Sequence, residues 1–167
     1  MIKKATIYTI LVLTAASLWS CRKETSLENG KGLAVDMVAV IDGASWQAID
    51  STQISSIVFG YINISGSSAD NQIINITLAD TVIGAYVLDQ SSSSLATYAN
   101  LDSSAYAYST NQGSDTSQAG GTVNVTAIDR VNKTISGIFA FKVYRDMDGS
   151  QKKITSGVFY NIPYVTP

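Results

Sequence analysis

The chain lacks histidine altogether, and its one cysteine, Cys21, stands close to the N-terminus. Ser-His-Asp and Cys-His catalysis both need an imidazole base, and zinc sites are built mainly from His and Cys. A lone cysteine leaves no intramolecular disulfide, so the fold must rest on its core alone. Only 14% of the residues are charged, against about 25% in an ordinary globular domain. Lys and Arg number 11 against 13 Asp and Glu. No basic stripe is left to meet a phosphate backbone, which removes nucleic acid as a partner. Neither G-x-x-x-x-G-K-[ST] nor G-x-G-x-x-G in a βαβ setting occurs, so no loop cradles nucleotide phosphates. Nothing in the sequence calls for a cofactor or a metal.

What remains is 46% hydrophobic and rich in Ser, Thr, Asn, Val and Ile, with two prolines. Such a composition reads as all-β, and 167 residues suit one domain. A chain of that length buries roughly 70% of the surface it exposes when unfolded.

Residues 1–20 read as a signal peptide and stand outside the fold argument. Lys3 and Lys4 form a charged n-region, and an apolar run from Ala5 to Leu18 follows. That run is short for a bilayer span, which needs about 20 apolar residues. Leu18-Trp19-Ser20-Cys21 resembles a bacterial lipobox. The resemblance implies diacylglycerol on the Cys21 sulfur, cleavage before it and acylation of the new α-amine. Residues 21–32 then form the lipidated cysteine and a polar tether with two glycines, flexible enough to space a domain from the lipid. Arg22 directly after Cys21 resembles lipoproteins passed on to the outer membrane. Without the signal peptide the chain keeps nine Lys or Arg and all thirteen acids, a net charge of −4.

Residues 33–167 read as a single all-β domain. Val35, Met37, Ala39 and Ile41 alternate onto one face, Asp42-Gly43 supplies a tight turn, and Trp46 on the return strand reads as a core anchor. Ser55 to Ser65 reads as one long central strand, with Gly60 marking a bulge. In Gln72 to Leu78, Ile74, Ile76 and Leu78 point inward. Gly84 to Leu88 is a further strand. Residues 89–119 are low-complexity polar loops around Tyr98, Tyr106 and Tyr108. Gly121–Ile128, Thr134–Arg145 and Lys153–Pro163 form a closing meander through turns at 129–133 and 146–149. Within it Phe139, Phe141 and Val143 share one face, and Val158, Tyr160 and Ile162 another. Gly137 and Gly157 mark places where backbones bend or approach closely.

Ser45-Trp46-Gln47-Ala48, Gly84-Ala85-Tyr86-Val87-Leu88, Gly121 to Asp129, Ile135 to Phe141 and Ile154 to Pro163 together resemble uncharacterised Bacteroidetes-type envelope lipoproteins. The resemblance implies an extracytoplasmic compartment and an all-β fold, and it carries no residue roles.

Asp146-Met147-Asp148-Gly149 is the one metal-like motif, but the spacing departs from an EF-hand loop, and Asp-Gly suits a solvated hairpin turn. Asn63-Ile64-Ser65, Asn75-Ile76-Thr77, Asn124-Val125-Thr126 and Asn132-Lys133-Thr134 match the N-glycosylation pattern; behind a lipobox they read as strand composition. Asp50-Ser51-Thr52 and Asp80-Thr81-Val82 resemble a short O-glycosylation motif of Bacteroidetes-type envelope proteins.

The expectation is therefore an antiparallel β-sandwich of about eight to ten strands, with a closed lipocalin-like barrel as the alternative. In function it is an outer-envelope lipoprotein, held in the membrane through Cys21, acting as a non-catalytic module that binds an envelope glycan or protein. Tyr98, Tyr106 and Tyr108 are the candidate binding surface. The alternatives are a structural envelope component without a small ligand, and a carboxylate-dependent glycan hydrolase.

Overall fold

The computed structural model describes residues 36–102 and 107–167. Residues 33–167 make one compact unit. Among the described residues run eleven strands: β1 (Asp36–Ile41), β2 (Ala44–Gln47), β3 (Ile54–Val58), β4 (Tyr61–Ser67), β5 (Gln72–Leu78), β6 (Gly84–Leu88), β7 (Leu95–Asn100), β8 (Tyr108–Ser109), β9 (Gly120–Asp129), β10 (Thr134–Arg145) and β11 (Ser150–Val165). A single 3-10 turn, Asp50–Thr52, precedes β3.

The strands form two facing layers. One is antiparallel, in the order β2-β1-β11-β10-β9-β6. The other runs β3-β4-β5-β7, with the short β8 at its edge. Two corners join them: Tyr164 and Val165 of β11 pair in parallel with Ser55 and Ser56, and Tyr144 of β10 pairs with Ser109. The space between the layers is filled by one apolar cluster. Ile62, Ile64, Ile74, Ile76 and Leu78 enter it from one layer, and Met37, Val123, Phe159 and Ile162 from the other, all fully buried. This packed two-layer core is sandwich-like, and the two corner pairings also close β11-β3-β4-β5-β7-β8-β10 into a ring, which protects those strand edges.

Local chemistry places the elements. Asp42 and Gly43 both have positive φ, 49° and 88°, as the type I′ turn between β1 and β2 requires. Trp46 is buried, and its Nε1 donates to the Gln72 carbonyl at 3.2 Å, tying β2 to the opposite layer. A Cβ on Gly66 would lie 2.8 Å from Met37 Sδ and from Ala48 Cβ, so the layers touch closely there. The 129–133 turn forms as the sequence indicates, with Asp129 Oδ1 accepting the amides of Val131 and Asn132.

Two expectations are corrected. Ser55 to Ser65 is not one strand: the chain reverses at Phe59-Gly60, where φ is 51° and 83°, and Val58 pairs with Tyr61. The two halves, β3 and β4, are paired antiparallel strands. Val158, Tyr160 and Ile162 do not share a face either. Ser156 and Asn161 adopt positive φ, 51° each, and the β1–β11 and β10–β11 ladders shift register opposite them. Each bulge adds one residue and flips the alternation. Val158 and Tyr160 therefore face out while Phe159, Ile162 and Tyr164 are buried.

Gly137 and Gly157 permit a reciprocal contact between the longest strands. Phe139 pairs with Gly157 and Phe159 with Gly137. A Cβ on Gly157 would sit 2.3 Å from the Phe139 ring, and one on Gly137 would sit 2.4 Å from Phe159 Cζ. Each ring thus occupies the space of the missing side chain. The two rings lie 6.3 Å apart with planes inclined 21°, and Phe141 extends the stack at 5.6 Å from Phe139. Gly157→Ala is expected to cost about 1–3 kcal/mol, the usual range for overpacking. In a Phe139→Ala background the same change should be close to neutral, because the clash has gone. Denaturant unfolding of the four proteins checks this, and equal costs in both backgrounds would refute the steric account.

Candidate functional site

Two of the three tyrosines expected to form a binding surface, Tyr98 and Tyr108, are buried, at 4% and 8% exposure. They face each other across β7 and β8 with ring centroids 5.8 Å apart. Tyr108 is covered by the Arg145 guanidinium 4.4 Å above its ring and bonded through its hydroxyl to Ser150 Oγ at 3.1 Å. Both are corner-packing residues. Tyr106 and Cys21 lie outside the described residues.

The Asp146–Gly149 segment is a hairpin turn. Asp148 receives the Arg145 guanidinium through both carboxylate oxygens and accepts the Ser150 amide at 3.1 Å. Asp146 Oδ1 instead accepts the Gly113 amide at 2.9 Å, pinning the 111–119 loop. Among the described residues no three Asp, Glu, His or Cys side chains converge on a metal-sized site.

A concavity of about 650 Å³ lies on the outer face of β3, β4 and β5, within the range of ligand sites. Asn63, Ser65, Asn75 and Thr77 form its floor. They point away from the core because they alternate with the buried Ile62, Ile64, Ile74, Ile76 and Leu78. The register pairs Asn63 with Thr77 and Ser65 with Asn75, so each amide meets a hydroxyl. Thr77 Oγ1 donates to Asn63 Oδ1 at 3.0 Å, and Ser65 Oγ donates to Asn75 Oδ1 at 2.6 Å. With the amide oxygens engaged, the N–H₂ groups of Asn63 and Asn75 have no hydrogen-bond partner among the described residues and face the groove. The apolar walls come from Ile54, Pro163 and Val165, all exposed. No Asp, Glu, Lys or Arg lines the groove.

A sequence signal for this site existed in another guise. Asn63-Ile64-Ser65 and Asn75-Ile76-Thr77 match a glycosylation pattern because an amide and a hydroxyl two residues apart share a strand face. In antiparallel register those two triplets make the crosswise amide–hydroxyl pairs of the groove floor.

The fold is that of a β-sandwich domain, and its family can be stated. A family model described as Domain of unknown function (DUF6252) matches residues 36–163. The chain belongs to that family, which agrees with the resemblance to an uncharacterised group. Neither a curated protein nor a solved structure matches the chain.

The aspartates are employed in turns. Asp89 and Asp115 are held below the ordinary carboxyl value by side-chain hydrogen bonds from Ser91 and Ser117, and Asp129 by the Asn132 amide. The Arg145 guanidinium beside Asp148 pulls it well below that value. Burial pushes Asp42 up, but the hydrogen bonds from Lys152 and the Lys153 amide outweigh it. A depressed folded pKa stabilises the protein above the unfolded value and loses that contribution as pH falls through the folded value. Stability should therefore hold steady through neutral pH, where no histidine titrates. It should fall as the pH drops below the ordinary aspartate value of 3.8. Thermal unfolding across this range checks the sign; a midpoint that rises on acidification would contradict it.

Proposed function

We propose that this protein is a lipid-anchored, non-catalytic binding module of the outer envelope, and that the groove over β3, β4 and β5 takes a neutral glycan. The observation that carries the reading is the chemistry of the groove. Its floor offers amide N–H donors and hydroxyls fixed by the Asn63–Thr77 and Ser65–Asn75 pairs. Its walls are aliphatic. A sugar presents the same mixture, hydroxyls at the ring edge and C–H groups on its faces. An ionic ligand would leave its charge unanswered here, which is costly in a partly desolvated site. The lipid anchor is supported by the tripartite N-terminus and the lipobox-like Leu18-Trp19-Ser20-Cys21. Several acyl chains would make that attachment lasting, because each buried CH₂ contributes about 0.8 kcal/mol.

Two measurements test the parts separately. Labelled palmitate should enter the wild-type protein and be absent from Cys21→Ala; labelling that persists in the variant would remove the anchor. On an array of neutral oligosaccharides the mature protein should bind. Asn63→Ala/Asn75→Ala should lose that binding with its unfolding midpoint retained. Binding that survives the double change, or no binding by the wild type, would remove the groove as the site.

A further inference from the structure

One end of the sandwich carries apolar side chains on three separate turns. Phe59, in the β3–β4 turn, is 95% exposed, and Val131, in the β9–β10 turn, is 91% exposed. Val82 and Ile83, in the loop between β5 and β6, are more than half exposed. Pairing and packing bring these turns together. Ile62 pairs with Leu78, so the 79–83 loop begins beside the Phe59 turn. Thr81, Arg130 and Lys133 line one small cleft with Ile57, two residues from Phe59.

Phe59 is not explained by the fold. Its φ of 51° is a conformation that bulky residues rarely adopt, and a two-residue turn with both φ positive favours Asn-Gly. At 95% exposure its ring packs against almost nothing. A residue that breaks a local rule without a packing gain is where a function is to be sought.

We propose that this end rests in the surface of the membrane that holds Cys21, with Phe59, Val131, Val82 and Ile83 inserted among anionic lipids. The proposal rests on the lipid-anchor reading above. Three features select a bilayer as the occupant. First, apolar tips on separate loops suit a surface that closes around each of them, at the boundary of headgroup and acyl chain. Second, the charge is arranged for it. Residues 36–167 hold eleven aspartates and six Lys or Arg. Asp80, Asp129, Arg130 and Lys133 make this end neutral, with two bases beside the tips, while nine aspartates against four bases leave the rest negative. An anionic leaflet would attract the two bases and repel the remainder. Third, β1 starts at Asp36 opposite Tyr160, and β11 runs from Tyr160 toward this end, where Val165 pairs with Ser56. The chain thus enters the domain on the half nearer the tips. The fourteen residues between Cys21 and Asp36 span at most roughly 50 Å.

The test uses the mature, lipidated chain bound to vesicles of phosphatidylglycerol and brominated phosphatidylcholine. Phe59→Trp and Val131→Trp place reporters at the tips. Met147→Trp places one in the exposed turn at the far end of β10, and the parent protein gives the Trp46 background. Loss of most of the tip emission, with the Trp signal of Met147→Trp intact, supports the proposal. Vesicle-bound protein whose tips are not quenched overturns it and leaves the anchor standing. Protein that does not bind vesicles overturns both. Unquenched tips whose emission shifts to the blue as protein density rises would assign the end to a second copy instead. As an independent measure, Phe59→Asn should raise the unfolding midpoint; a lowered midpoint would make Phe59 a structural residue and overturn the argument.

Discussion

Across the β10–β11 ladder two glycines and two phenylalanines exchange places, and much of the domain depends on that exchange. β11 carries β10 along one side and β1 and β3 along the other, while β10 carries β9 and β8. Both corners of the sandwich are therefore made by this pair. With no disulfide to hold the layers, the corners need a pair that does not slip in register. Phe139 over Gly157 and Phe159 over Gly137 provide it. A slip of one residue would set each ring against a side chain in place of a vacancy. The glycines, which ordinarily weaken a strand, are here covered by aromatic rings.

The same crosswise logic recurs with different chemistry on the other layer. Gly-Ile-Phe at 137–139 faces Gly-Val-Phe at 157–159; Asn-Ile-Ser at 63–65 faces Asn-Ile-Thr at 75–77. In each case a triplet repeated on antiparallel strands makes unlike residues meet twice. The first arrangement packs a core and the second assembles the groove floor, fixing two amides so that their N–H groups face outward. The same scaffold thus also fixes polar groups on its outer face.

The closing meander, the Asp42-Gly43 turn, the anchoring Trp46 and the inward set of β5 were all legible, because alternation and turn chemistry are local. Three things were not. The Phe59-Gly60 reversal escaped because its first residue is one that such a turn disfavours. The faces of β11 escaped because Ser156 and Asn161 hold positive φ without a glycine to announce it. Tyr98 and Tyr108 lay in a polar, loop-like stretch, so exposure was a fair expectation. Tyr108 is covered by Arg145 and bonded to Ser150, more than 35 residues away in sequence, and Tyr98 packs against Tyr108. Of the groove, each triplet was visible, but the register that joins the two triplets was not.

β10 and β11 are the element that holds both layers. Native-state hydrogen exchange measures this directly. The ladder amides within 137–141 and 157–162 should exchange only through global unfolding, more slowly than those of the β4–β5 hairpin. Amides of β4 and β5 outlasting them would place the centre of the fold in the other layer and contradict the account.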